Sequence, residues 1–125
     1  MKLIPIEFAI TTNGSGAATV NAVRAILGRL YCIEYRPGTL ATGATVTVTC
    51  EGAASKPLLT KANAGTSDSW YYPRDLVHAI TDGSALVGTS GGDRELPLLN
   101  GTPRVVVASG GATATGALTL YYFER

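Results

Sequence analysis

At 125 residues and a net charge of +1, the chain has the size of a single domain. Its charge balance excludes the basic footprint of a nucleic-acid binder and a polybasic membrane contact, and no apolar run reaches the roughly 18 residues of a membrane helix. Charged residues make up only 15%, against a typical fraction of about 25%, so Thr and Ser or neighbouring subunits must cover the surface.

Taken in chain order, strand signals dominate. In KLIPIEFAITT, Ile4, Ile6, Phe8 and Ile10 fall on one face with Lys2, on a period of two. Pro5 has no N–H to give a ladder, which places this strand at a sheet edge. Asn13-Gly14 reads as a hairpin turn. AATVNAV and RLYCIEY follow as strands. NAVRAILGRL has some helical spacing, but Gly28 interrupts a short run, so strand is the preferred reading. RPGTLATG is a loop with a Pro-Gly turn.

ATVTVTCEG is the clearest strand. Val46, Val48 and Cys50 face one way, and Thr45, Thr47 and Thr49 face the other. KPLLTKA is a short strand, and SDSWYYP is another, closed by Pro73. DLVHAI reads as one helical turn or a strand. TDGS, GTSGGD and the NGT at Asn100 read as turns, ELPLL as a short extended piece. PRVVVASGG and GALTLYYFE are two terminal strands. In the last, Leu118, Leu120 and Tyr122 alternate with Thr119, Tyr121 and Phe123. TTNGSGAATV and VVASGGATATGALTLYY echo each other as strand, Gly-rich turn and small-residue strand, too loosely for a repeat. Eight or nine short strands with Gly-rich turns predict an all-β single-domain β-sandwich or barrel spanning 1–125.

The N-terminal MKLIPIEFAI lacks the long apolar core and cleavage site of a secretory leader. The expectation is synthesis in the cytoplasm, where thiols stay reduced. Cys32 and Cys50 then read as small buried hydrophobes, not a disulfide. In that compartment Asn13 and Asn100 are not glycosylation sites, although both match the acceptor pattern.

Little catalytic chemistry emerges. The single His, His78, lies three residues after Asp75, a spacing that suits an oriented general base. GTSGG formally matches the nucleophile-elbow pattern at Ser90, but no helix pattern follows, and that elbow needs strand–turn–helix. A flexible Gly-rich loop is the better reading, and the chain is not expected to be an enzyme. One His and two Cys without a C-x-x-C pair predict no metal, and no phosphate loop or other cofactor signature is present.

The segment SWYYPRD concentrates the aromatic residues. On a strand, Trp70 and Tyr72 share one side and Tyr71 takes the other. Three readings stand open: core packing, a protein interface, and a ring-stacking ligand site such as a glycan surface. Trp, Tyr and Arg are the residues enriched at interface hot spots. Trp70, Tyr71, Tyr72, Arg74 and Asp75 are therefore the candidate interface residues, with the first aromatic packing inward and the rest gripping.

With NGSGAATV, ATGATVTVTCEG, LLTKANAGTSDSWYYPR and the final GALTLYYFER in view, the chain resembles small virion proteins of tailed bacteriophages. More narrowly, it resembles the jelly-roll cement, or decoration, proteins that sit on a capsid shell. The similarity runs from about Ile6 to Tyr122 and rests on overall pattern. It implies a jelly-roll β-sandwich that forms homodimers or homotrimers, binds the major capsid protein and stabilises the virion shell after synthesis in the host bacterium. It implies no catalytic residues, cofactor, nucleic acid or membrane. Edge strands, the one holding Pro5 or the C-terminal one, would extend a neighbour's sheet. A tail or head–tail joining protein shares the same pattern.

Overall fold

The structure, a computed structural model, describes residues 2–76 and 94–124. Its strands are β1 (Lys2–Thr11), β2 (Ala18–Asn21), β3 (Ile26–Arg36), β4 (Thr45–Glu51), β5 (Ser55–Lys61), β6 (Ser69–Tyr71), β7 (Asp75–Leu76), β8 (Arg94–Glu95), β9 (Leu98–Ala108) and β10 (Thr115–Glu124). No helix occurs among the described residues. The fold is all-β, as the alternation predicts. The helical spacing around Gly28 does not produce a helix, because Ile26, Leu30 and the residues between them join β3.

Eight strands form one antiparallel sheet in the order β1-β10-β3-β9-β4-β5, with β2 also on β9 and β6 also on β3. β7 and β8 make a separate two-stranded ribbon. The large sheet folds on itself as a sandwich. Its front layer holds β1, β10, β3 and β6; its back layer holds β2, β4, β5 and most of β9. The inner faces enclose one core. Phe8 and Ile10 of β1, Leu30, Ile33 and Tyr35 of β3, and Leu118, Leu120 and Tyr122 of β10 share it with Val46, Val48 and Cys50 of β4 and Val105 and Val107 of β9. Each fully buried Leu, Ile, Val or Phe contributes about 1.5–3 kcal/mol. The Thr face of β4 stays half-buried on the outside, as its alternation predicts.

β9 joins the layers. Leu98–Gly101 pair with Arg29–Ile26 of β3, and Thr102–Ala108 pair with Glu51–Thr45 of β4. The chain passes between them at Gly101, whose φ is 145°. A Cβ there would collide with the Glu51 carbonyl oxygen and carbon. Asn100-Gly101 therefore does not make the expected turn: the dipeptide sits inside a strand, held extended by ladders on either side. The C-terminal strand is also not an edge. β10 lies between β1 and β3, and its inward Leu118, Leu120 and Tyr122 share the core with β4 and β9. β1, with Pro5, does end the sheet. The two echoing turns pack together: Gly110 N donates to Gly16 O at 2.9 Å and Thr113 N to Asn13 O at 3.1 Å.

Both thiols are buried and free. Cys50 belongs to the core, whereas Cys32 lies outside that cluster.

Gly101→Ala is expected to destabilise the fold by about 1–3 kcal/mol, through strain at a positive φ and the clash with β4. Urea unfolding checks this; an unchanged midpoint would mean the crossing relaxes freely.

Candidate functional site

The front layer's outer face carries the candidate site. On β1 and β10 the odd-numbered residues lie on the outer side, opposite Phe8, Ile10, Leu118, Leu120 and Tyr122, which are buried; Thr119, though on the outer side, is also covered. Pairing then sets rows across the face. Leu3, Phe123, Arg29 and Leu98 stand side by side. Pro5, Tyr121 and Cys32 form the next row. Glu7, Thr119, Glu34 and Trp70 form the one after.

β3 departs from strict alternation. Its register with β10 shifts between Tyr121 and Tyr122: Tyr122 pairs Leu30, and Tyr121 pairs Cys32. One extra residue, Tyr31, is a β-bulge, and such an insertion re-aims side chains. Ile26 and Leu30 are buried before it, and Ile33 and Tyr35 after it. Tyr31 and Cys32 are left on the outer side together.

The aromatic side chains converge there. Trp70 stacks on Tyr121 at 5.9 Å between ring centroids. Tyr31 meets Phe123 edge-on at 5.5 Å and Tyr72 at 6.3 Å. Leu3, Tyr31, Cys32, Trp70, Tyr72 and Tyr121 line an open depression of about 250 Å³. Trp70 is 50% exposed and Tyr72 54%, so this apolar surface faces solvent.

The sequence candidates divide. Trp70 and Tyr72 share the outer side, as strand geometry predicts. Tyr71 turns inward and packs against the core. The expectation that the first aromatic packs inward is corrected: the second does, because Ser69 and Tyr71 alternate with Trp70 on β6. Arg74 folds back onto the site. Its Nη1 donates to Tyr31 O at 2.9 Å and Pro73 O at 2.7 Å, and its guanidinium lies 5.8 Å from the Tyr31 ring centroid. Asp75 pairs with Lys56 Nζ at 2.9 Å, and Lys56 also donates to Leu98 O. Arg74 and Asp75 thus strap the chain after Tyr72 to both layers. His78 and Ser90 lie outside the described residues, as do the turns expected between 81 and 93.

Leu3, Tyr31, Cys32, Tyr121 and Phe123 are site residues that motif reading missed. The alternation of β10 already separates Tyr121 and Phe123 from the buried residues, but nothing local announces the bulge or brings β6 beside β3. Burial pushes the Cys32 thiol up, with Arg74 pulling it partly back. Among the described residues no three His, Cys, Asp or Glu gather as a metal site, and no helix is long and apolar enough to cross a membrane. No family model, curated protein or solved structure matches the chain.

Trp70→Ala is expected to leave the fold intact and to speed alkylation of Cys32, but not of Cys50, by removing the ring that helps cover it. Because the raised thiol is protonated at neutral pH, the native Cys32 rate should climb only as pH rises beyond the ordinary thiol range near 8.5. Peptide mass mapping after iodoacetamide pulses reads both; equal rates in the variant and the parent chain would contradict the geometry.

Proposed function

We propose that the chain is a virion structural protein of a tailed bacteriophage, a capsid cement protein whose aromatic outer face makes subunit contacts in the shell layer. The observation that carries this is the exposed cluster of Trp70, Tyr72, Tyr31 and Leu3 on a rigid sheet face. Large apolar side chains grouped at a surface mark interaction sites, and Trp and Tyr dominate hot spots. The resemblance of its strand and loop pattern to jelly-roll cement proteins supplies the partner class: the major capsid protein and copies of the chain itself.

The mechanism is multivalent. Each contact is modest, but a bound copy holds its neighbours at high effective concentration, so weak contacts add up across a lattice. Low charge suits such close packing, since little charge is desolvated when surfaces meet. The proposal assigns no catalytic step and no cofactor.

A glycan-binding module is the second reading, favoured by two exposed rings, Trp70 and Tyr72, beside one depression. Sugar recognition needs placed polar groups as well as rings. The lining offers tyrosine hydroxyls, the Trp70 indole N–H and one thiol, with no carboxylate or amide side chain. That weighs towards a protein partner.

Virions banded on a density gradient and probed with an antibody to the chain should label the shell at regular spacing. Trp70→Ala and Tyr72→Ala should fold and yet lose the label. Labelling confined to tails would replace the cement role with the tail or joining role. Absence of label from all particles would overturn the proposal.

A further inference from the structure

We infer that the aromatic outer face is a self-contact: a second copy of this chain covers it across a two-fold axis lying along the Pro5–Tyr121–Cys32 row. This rests on the reading of that face as an interaction surface and names its occupant.

Flip the face about its Tyr121 row, and each residue meets one from the row equally far on the other side. The Glu7–Thr119–Glu34–Trp70 row then lies over the partner's Leu3–Phe123–Arg29–Leu98 row, in the same lateral order. Glu34 falls opposite Arg29, both on β3. Trp70 falls on Leu98, which is 41% exposed. Tyr121 meets its own copy on the axis. Such a two-fold contact is isologous, so each complementary pair occurs twice.

The charges support this choice. Among the described residues the ion pairs are Arg36–Glu7, Lys56–Asp75 and Arg104–Glu51. Glu34 and Arg29 flank the aromatic centre and belong to none of them. Glu34 accepts a long 3.4 Å hydrogen bond from the Tyr121 hydroxyl. Arg29 donates one Nη1–H to Leu96 O at 3.0 Å, which leaves most of its donors for another acceptor. Opposite charges at matched distances from an apolar centre fit a second copy of the same face and fix its orientation. A two-fold axis along β3 would instead set Glu34 on Glu34 and Arg29 on Arg29.

Size sets the strength. Four strands about 4.8 Å apart and seven residues at about 3.4 Å make a patch roughly 20 Å on a side. That is small beside the roughly 800 Å² per partner of a stable interface. The dimer is therefore weak and concentration-dependent, which suits a contact that acts in a lattice.

Sedimentation equilibrium on the purified chain, from micromolar to millimolar, tests it. The parent chain should pass from monomer to dimer. Glu34→Arg and Arg29→Glu should each weaken association about tenfold or more, and the double exchange should restore it. Circular dichroism confirms that each variant is folded. A monomer throughout, or a dimer indifferent to both single exchanges, overturns the inference. The outcome separates from that of virion labelling. A monomeric chain that still labels shells removes only the self-contact, and a charge-reversible dimer that labels no particle removes only the cement role.

Discussion

Between Leu30 and Cys32, β3 carries one residue more than the stretch of β10 that pairs with it. Side chains alternate along a regular strand, so an extra residue accommodated without a bulge exchanges inside and outside for everything beyond it. Had β3 run regularly through Tyr31, Ile33 and Tyr35 would point to solvent while Cys32, Glu34 and Arg36 entered the core; the bulge absorbs the extra residue. With it, two inward runs, Ile26 to Leu30 and Ile33 to Tyr35, both serve the sandwich. The insertion also leaves Tyr31 and Cys32 side by side on the outer face, where Trp70, Tyr72, Tyr121 and Phe123 close around them. One local irregularity therefore sets the core register and the candidate site together.

The rest of the front layer follows from that strand. β3 pairs with β10 on one edge, and with the start of β9 and with β6 on the other. β6 is only three residues long and has little ladder of its own. It is held by Ser69, Trp70 and Tyr71 against β3, by Tyr71 in the core, and by the Arg74 and Asp75 contacts that follow. An aromatic surface held this way is preorganised: its rings lose little freedom when a partner arrives, which favours binding. The same packing rotates Tyr71 away and leaves Trp70 and Tyr72 to present the surface.

β9 adds the second constraint. A strand that belongs to both layers must change partners without a break, and it does so where a side chain would strike β4. The strap through Lys56 ties β5 to Leu98 and Asp75 close to this crossing. Fold stability and the placement of the aromatic face are thereby linked through one corner of the sandwich. The face is rigid because it is continuous with the core, while its residues contribute little to that core.

The all-β class, the two faces of β1, β4 and β10, the edge position of β1, and the opposed sides of Trp70 and Tyr71 were legible from the order of residues. Each depends on alternation within a single strand, which needs no knowledge of neighbours. The reach of β9 through Asn100-Gly101 was not legible, because a dipeptide that favours turns was held extended by ladders from distant segments. Nor was the interior place of β10 legible, since an edge is defined by what pairs beside it. The bulge at Tyr31 appears only against the register of β10, about ninety residues away in the chain. The site shares that origin: Trp70 and Tyr72 announce themselves in one short segment, but Leu3, Tyr31, Tyr121 and Phe123 join them through strand pairing alone. Local periodicity decided which way each side chain points; only the tertiary structure decided which of them stand together.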